Sequence, residues 1–210
     1  MSAKADRIVR RYGITYAEDA GITLRDKPSP LWRLLILALL LSARIDSGIA
    51  VKTARELSRS GLRTPDRTLA TSWQERVDAL GRGGYRRYDE RTATQLAEAA
   101  RLVLDRWKGD LRRLHEEAGE DDDRALTLLQ AFKGIGPAGA AIFLREAQAV
   151  WPDMRPFVDE LTLKGAANLG LPTTRAGLYA AVPHDTFHRL VAACVRAARN
   201  PDLVHDADHD

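Results

Sequence analysis

Two short segments contain residue types that could do chemistry together. The first is Gln130-Ala131-Phe132-Lys133-Gly134-Ile135-Gly136-Pro137-Ala138-Gly139-Ala140. A helix ends there, Gly-Ile-Gly turns the chain, and a helix of small residues begins with Pro137 in its first turn. Glycines allow backbone to approach an anion with no Cβ in the way. The free amides at the following helix start then point at that anion. The pattern therefore describes a phosphate grip, although a plain tight turn between helices also satisfies it. The second segment is Pro156-Phe157-Val158-Asp159, where a carboxylate falls at a helix start. By position alone Asp159 is an N-cap. A fixed carboxylate can also stabilise a developing positive charge, and the two roles are compatible.

Other candidates carry less. The chain has one cysteine, Cys194, flanked by Ala192, Ala193 and Val195. It can form no intramolecular disulfide and cannot alone hold zinc or an iron–sulfur cluster. It reads as a buried helix thiol. The acidic runs Glu116 to Asp123 and His205 to Asp210 read as solvated loop and tail rather than metal sites.

The elements that must position these groups are helical. The 210 residues carry 32 Lys+Arg against 29 Asp+Glu, a net charge of +3, which is compatible with a nucleic-acid partner without requiring one. Ala, Leu and Arg are abundant and no stretch alternates as a strand, so the fold class is all-α. Helices are expected from Pro30 to Asp46 with Ser29 as N-cap, over Ala50–Ser60, within Thr68–Leu80, and over Thr92–Trp107. Further helices are expected over Arg124–Ala131, Pro137–Val150, Asp159–Asn168 and Asp185–Arg199. Leu34 to Leu41 is too short to span a bilayer, and Met1 to Arg11 is followed by no apolar signal region. The expectation is a soluble, cytoplasmic protein without membrane contact.

The order and spacing of four landmarks resemble the helix-hairpin-helix (HhH-GPD) DNA glycosylase superfamily, which includes endonuclease III. Phe132-Lys133-Gly134-Ile135-Gly136 matches the hairpin, and Asp159 follows it at about the family's twenty-residue spacing. Leu39-Leu40-Leu41-Ser42-Ala43-Arg44 resembles the family's Leu-Leu-Ser-Ala-Gln helix end. Gly83-Gly84-Tyr85 resembles its Gly-Leu-Tyr loop. The likeness spans roughly residues 30 to 200.

The resemblance implies a two-lobed all-α fold. One lobe would be residues 28–136, ending in the hairpin. The other would join 1–27 to 137–210 and carry the catalytic aspartate. It implies a monomer acting on double-stranded DNA that contains a damaged base, alkylated bases among the options. Asp159 would stabilise the oxocarbenium ion and orient water. Lys133, Gly134, Ile135, Gly136 and Ala138 would contact DNA at the hairpin, with Lys164 on the following helix. Arg44 would fill the vacated stack, and Tyr85, Arg86, Arg87 and Tyr88 would form an aromatic and basic loop against the duplex. The same residues read equally well as an ordinary exposed loop with tyrosine anchoring it to the core. Trp32, Trp151 and Phe157 could wall a base pocket, but core packing suits each better. Carbonyls of Gln130, Phe132 and Ile135 match those that hold a structural sodium or potassium ion in the family.

Departures from the family narrow the expectation. Ala138 occupies the position of the Schiff-base lysine of bifunctional members. Lys133 and Lys164 cannot replace it: one lies on the hairpin's far side, the other points away from Asp159 along its helix. The expected activity is therefore base removal without strand cleavage. Ala38 stands where the mismatch-adenine branch has a glutamate, and the four-cysteine iron–sulfur loop is absent. A second reading keeps the hairpin as a DNA grip and leaves Asp159 as a cap only, in a DNA-binding protein without catalysis.

Overall fold

The computed structural model describes residues 2–200. Among these residues every regular element is a helix, as expected. The centre is α3, Pro28–Leu41, reached after α1 (Ala3–Tyr12) and α2 (Tyr16–Asp19). Leu31, Trp32 and every residue from Leu34 to Leu41 are buried, so α3 is apolar all round and other helices enclose it. It begins at Pro28 rather than at Pro30. The proline fits N1, and Ser29 donates its hydroxyl to Arg63 O at 2.9 Å instead of capping. It stops at Leu41, short of Asp46, because Asp46 caps the next helix: its Oδ1 accepts from the amides of Gly48 and Ile49.

That next helix is α4, Ser47–Arg59. The single helix expected within Thr68–Leu80 is two, α5 (Pro65–Ala70) and α6 (Trp73–Gly83). Ser72 divides them by forming a reciprocal capping box with Glu75. α7 (Asp89–Trp107) is the longest helix among the described residues and ends at Lys108, whose φ is +53°. α8 (Arg112–Ala118) and α9 (Asp122–Leu129) replace most of the acidic loop expected at Glu116 to Asp123. α10 (Pro137–Ala147), α11 (Glu160–Asn168), α12 (Arg175–Tyr179) and α13 (Phe187–Arg199) complete the chain, and the tail His205 to Asp210 lies outside the described residues. No described helix is long and apolar enough to cross a membrane.

Two hydrophobic cores result. The larger gathers residues from Ala17 to Phe157, including α3, α7 and α10. The smaller joins Ala5 and Ile8 of α1 to Ala166, Leu178, Leu190 and Cys194 near the C-terminus. α1 thus packs with the C-terminal helices, and Ser2 N donates to Ala181 O at 2.9 Å. Within this core a Cβ on Gly165 would lie 1.7 Å from Cys194 O, so α11 rests directly on the backbone of α13. Burial pushes the Cys194 thiol up to about 12, consistent with a packing role.

Candidate nucleic-acid interface and carboxylate site

The hairpin is a backbone surface anchored from below. Phe132 and Ile135 are buried, and the Phe132 ring packs against Trp107 at 5.6 Å between centroids. Ile135 therefore offers only its backbone to a ligand. Ile135 N closes the turn onto Phe132 O at 2.9 Å. Gly134 has φ +93°, and a Cβ there would lie 2.8 Å from Leu39 Cδ1. Gly136 has ordinary φ, and a Cβ there would meet nothing within 4 Å. Among the described residues the amides of Lys133, Gly134, Gly136, Ala138 and Gly139 find no acceptor. Five unpaired donors around an exposed glycine, at the start of an eleven-residue helix, fit an anion. Lys133 pairs with Glu98 at 3.0 Å, so its charge is partly answered already.

α10 connects this surface to the carboxylate. Arg145 lies nine residues beyond Gly136, about 13 Å along the helix axis. Its Nη1 donates to Asp159 Oδ2 at 2.7 Å. Asp159 caps α11: its Oδ1 accepts from Thr162 N at 3.0 Å and from Thr162 Oγ1 at 2.6 Å. A carboxylate has about four acceptor directions, and three are filled. Arg145 is 7% exposed and Asp159 22%, so the arginine is inside and the carboxylate reaches the surface. Burial lowers the Arg145 pKa, opposed chiefly by the Asp159 charge.

Two further buried side chains hold this geometry. Gln148 accepts from Phe157 N at 3.0 Å and donates to Phe157 O at 3.2 Å and to Arg145 O at 3.1 Å. It thereby fastens the segment that delivers Asp159 onto the end of α10. Glu146 accepts from Tyr16 N and Ala17 N, both at 3.1 Å, tying α10 to the start of α2. Burial raises the Glu146 pKa against those two amide bonds. Neither residue has a sequence signature, since their partners are distant or backbone.

The remaining candidates meet at the C-terminal end of α3. Leu39 lies under Gly134, Leu40 O faces Tyr85 Oη at 3.5 Å, and a Cβ on Gly139 would lie 2.2 Å from Ser42 Oγ. Arg44 is exposed just beyond, without an ion-pair partner among the described residues. Tyr85 is corrected as a DNA contact and follows the other reading of the loop: it is 1% exposed and anchors the loop in the core, so it cannot stack on a base. A tyrosine fits there because Gly83 lets the loop press on Thr53, and a Cβ on Gly83 would lie 2.5 Å from Thr53 Cα. Burial raises the Tyr85 hydroxyl pKa.

Tyr88 of the same loop is half-buried against the larger core, with the guanidinium carbons of Arg87 and Arg91 at 5.4 and 5.0 Å from its ring centroid. Arg91 was absent from the sequence reading, and its three-residue spacing from Tyr88 into α7 was the available signal. Arg86 is exposed beside them. Lys164 is exposed on α11. Trp32, Trp151 and Phe157 are all buried in the larger core, and Trp32 lines a small apolar cavity there with Leu39, Phe132 and Ile135.

No family model and no curated protein matches the chain. Solved structures do. One is a trapped covalent intermediate of endonuclease III with DNA, in an estranged-adenine complex: 16% identity, TM-score 0.50, covering 94% of this chain and 86% of that one. Another is a non-covalent endonuclease III–DNA complex: 18% identity, TM-score 0.51, covering 91% and 85%. The chain shares the all-α fold of these endonuclease III structures, in keeping with the fold class expected from the sequence. At these identities the likeness concerns fold.

Proposed function

We propose that this protein is a DNA glycosylase that hydrolyses the bond between a damaged base and its sugar and leaves the strand uncut. The observation that carries the reading is the placement of Asp159: a carboxylate at the surface, braced by Arg145 on the same helix that begins at the amide-rich hairpin. The hairpin amides would take a backbone phosphate. The Asp159 charge would stabilise the oxocarbenium character that develops at C1′ as the base leaves. Its one unfilled acceptor direction would hold the attacking water. The structural relatives solved with DNA support a DNA partner for this fold.

Base removal without strand cleavage follows from Ala138, which is exposed at the first turn of α10 and carries no amine. The substrate would be double-stranded DNA with a damaged base, alkylated bases among the options, bound by a monomer. The carbonyls of Gln130 and Ile135 accept no hydrogen bond among the described residues, and that of Phe132 accepts one. Such neutral oxygens suit a sodium or potassium ion, which would stiffen the hairpin and take no part in chemistry.

The test is an abasic-site assay over a panel of damaged duplexes with wild type and Asp159→Asn. Base release by wild type that the variant loses while keeping DNA affinity supports the enzyme. Salt-sensitive binding with no release from any lesion overturns it in favour of a binding protein.

A further inference from the structure

The hairpin rests on one face of α7, and the contacts there set a carboxylate beside the proposed anion site. Arg91, Gln95 and Glu98 follow one another along α7 at helical spacing, so they share a face of that helix. A Cβ on Gly134 would lie 2.7 Å from Gln95 Nε2 as well as 2.8 Å from Leu39 Cδ1, so the hairpin backbone lies directly against Gln95. One turn further along α7, Glu98 Oε1 accepts from Lys133 Nζ at 3.0 Å.

The pair is open to water: the Lys133 side chain is 73% exposed and that of Glu98 34%. Ion pairs this open add little to stability. The position of Glu98 therefore needs another account. The hairpin turns unpaired amides towards an anion, and a negative group close to an anion site opposes the anion. A glutamine at position 98 would accept the same hydrogen bond from Lys133 without that opposition. The same face of α7 carries the neutral Gln95 and the cationic Arg91, neither of which works against the site. Local choices that contradict their surroundings mark function more often than packing.

Lys133 has one ammonium group, and two anions can claim it. In the free protein Glu98 holds it. On the duplex a backbone phosphate at the hairpin competes for the same group. Once Lys133 moves, Glu98 is left bare and facing the phosphates. We propose that Glu98 limits the affinity of the DNA interface: it claims Lys133 in the free protein and repels the phosphate that takes Lys133 over. A protein that must leave undamaged sites and release its product gains from a grip limited in this way. The proposal rests on the DNA reading above and adds to it a residue that weakens the complex.

The experiment is a salt titration of the full chain on an undamaged duplex, read by fluorescence anisotropy. Glu98→Gln and Glu98→Ala are each expected to bind about three- to ten-fold tighter than wild type at low salt. The dependence of log K on log salt should steepen by up to about one, since no carboxylate remains to take up a cation when Lys133 moves. In a Lys133→Met background Glu98→Gln should leave that slope unaltered, because no pair remains to break; a steeper slope there overturns the exchange. Glu120→Gln removes the same charge from the exposed loop before α9 and is expected to match wild type within about two-fold. An equal gain with Glu120→Gln makes the effect one of net charge and overturns the proposal. Thermal melting of each variant confirms the fold. Affinity of both Glu98 variants at or below that of wild type overturns the proposal and leaves the DNA reading intact. No salt-sensitive binding by wild type overturns the DNA reading, and the proposal with it.

Discussion

Arg145 and Asp159 are fourteen residues apart in the chain and 2.7 Å apart in the fold. The pair joins α10 to α11 and sets the direction of the carboxylate. Removing one partner from a buried pair leaves the other uncompensated. Because Asp159 keeps some solvent, Arg145→Met should cost about 2–3 kcal/mol rather than the full value for a buried pair. Arg145→Lys, which keeps charge but not the planar fork, should fall between. Urea unfolding with unchanged slope reads the loss. Base release should fall with Arg145→Met further than DNA affinity does, since the hairpin lies at the other end of α10. Wild-type stability in Arg145→Met would mean the pair holds nothing.

Three glycines that look alike in the sequence should behave differently. Gly134→Ala forces a left-handed residue and a Cβ against Leu39, and should lower stability by at least about 1 kcal/mol. Gly139→Ala drives a Cβ into Ser42 Oγ and should also destabilise. Gly136→Ala meets nothing in the protein and has ordinary φ, so it should fold as wild type. Its methyl would project where a phosphate should approach. Gel-shift affinity should therefore drop for Gly136→Ala at unchanged melting temperature. Unchanged affinity there would remove the hairpin from the interface.

These contrasts show what could be read from sequence. The all-α class was legible because apolar residues recur at helical spacing and capping residues punctuate them. The hairpin was legible because Gly-Ile-Gly-Pro is local chemistry. The break between α5 and α6 was also written locally, in Ser72 and Glu75, and was read through. Tyr85 was half legible: a tyrosine anchoring the loop was one of two readings, and its arginine neighbours could not decide between them because its burial depends on Gly83 meeting Thr53. Arg145, Glu146 and Gln148 were invisible for a related reason. On α10 they read as ordinary polar residues, and only the packing of α2, α11 and the Phe157 segment against them shows their role.

His188 should produce a measurable pH dependence of stability. It lies on α13, with Nδ1 buried and unpartnered. Burial lowers its pKa from the ordinary 6.5, and the charges of Arg189 and Arg155 lower it further; Glu18 and a backbone bond involving Asp185 oppose them. The folded imidazole thus binds protons less readily than the unfolded one. Its contribution is complete above pH 6.5 and is lost as pH falls through the lowered folded value. Urea midpoints should fall between pH 7.5 and 5, and His188→Gln should flatten that slope. An unaltered slope would place the proton uptake elsewhere.

Ala138 offers a gain-of-function test of the proposed chemistry. It is exposed on the first turn of α10, beside the hairpin amides, and nothing in the protein depends on its methyl group. Lysine is a good helix former, so Ala138→Lys should leave the melting temperature within about 1 °C of wild type. On the proposed reading, in which Asp159 faces C1′, the new amine would reach towards the same sugar from the start of α10. With wild type, borohydride should trap no covalent adduct on abasic duplex DNA if, as proposed, Ala138 leaves the site without a Schiff-base amine. With Ala138→Lys a trapped adduct should appear, and Asp159→Asn in that background should reduce it. Efficient trapping by wild type would contradict hydrolysis without strand cleavage. An Ala138→Lys protein that binds abasic DNA but never traps would show that the sugar does not lie beside the start of α10.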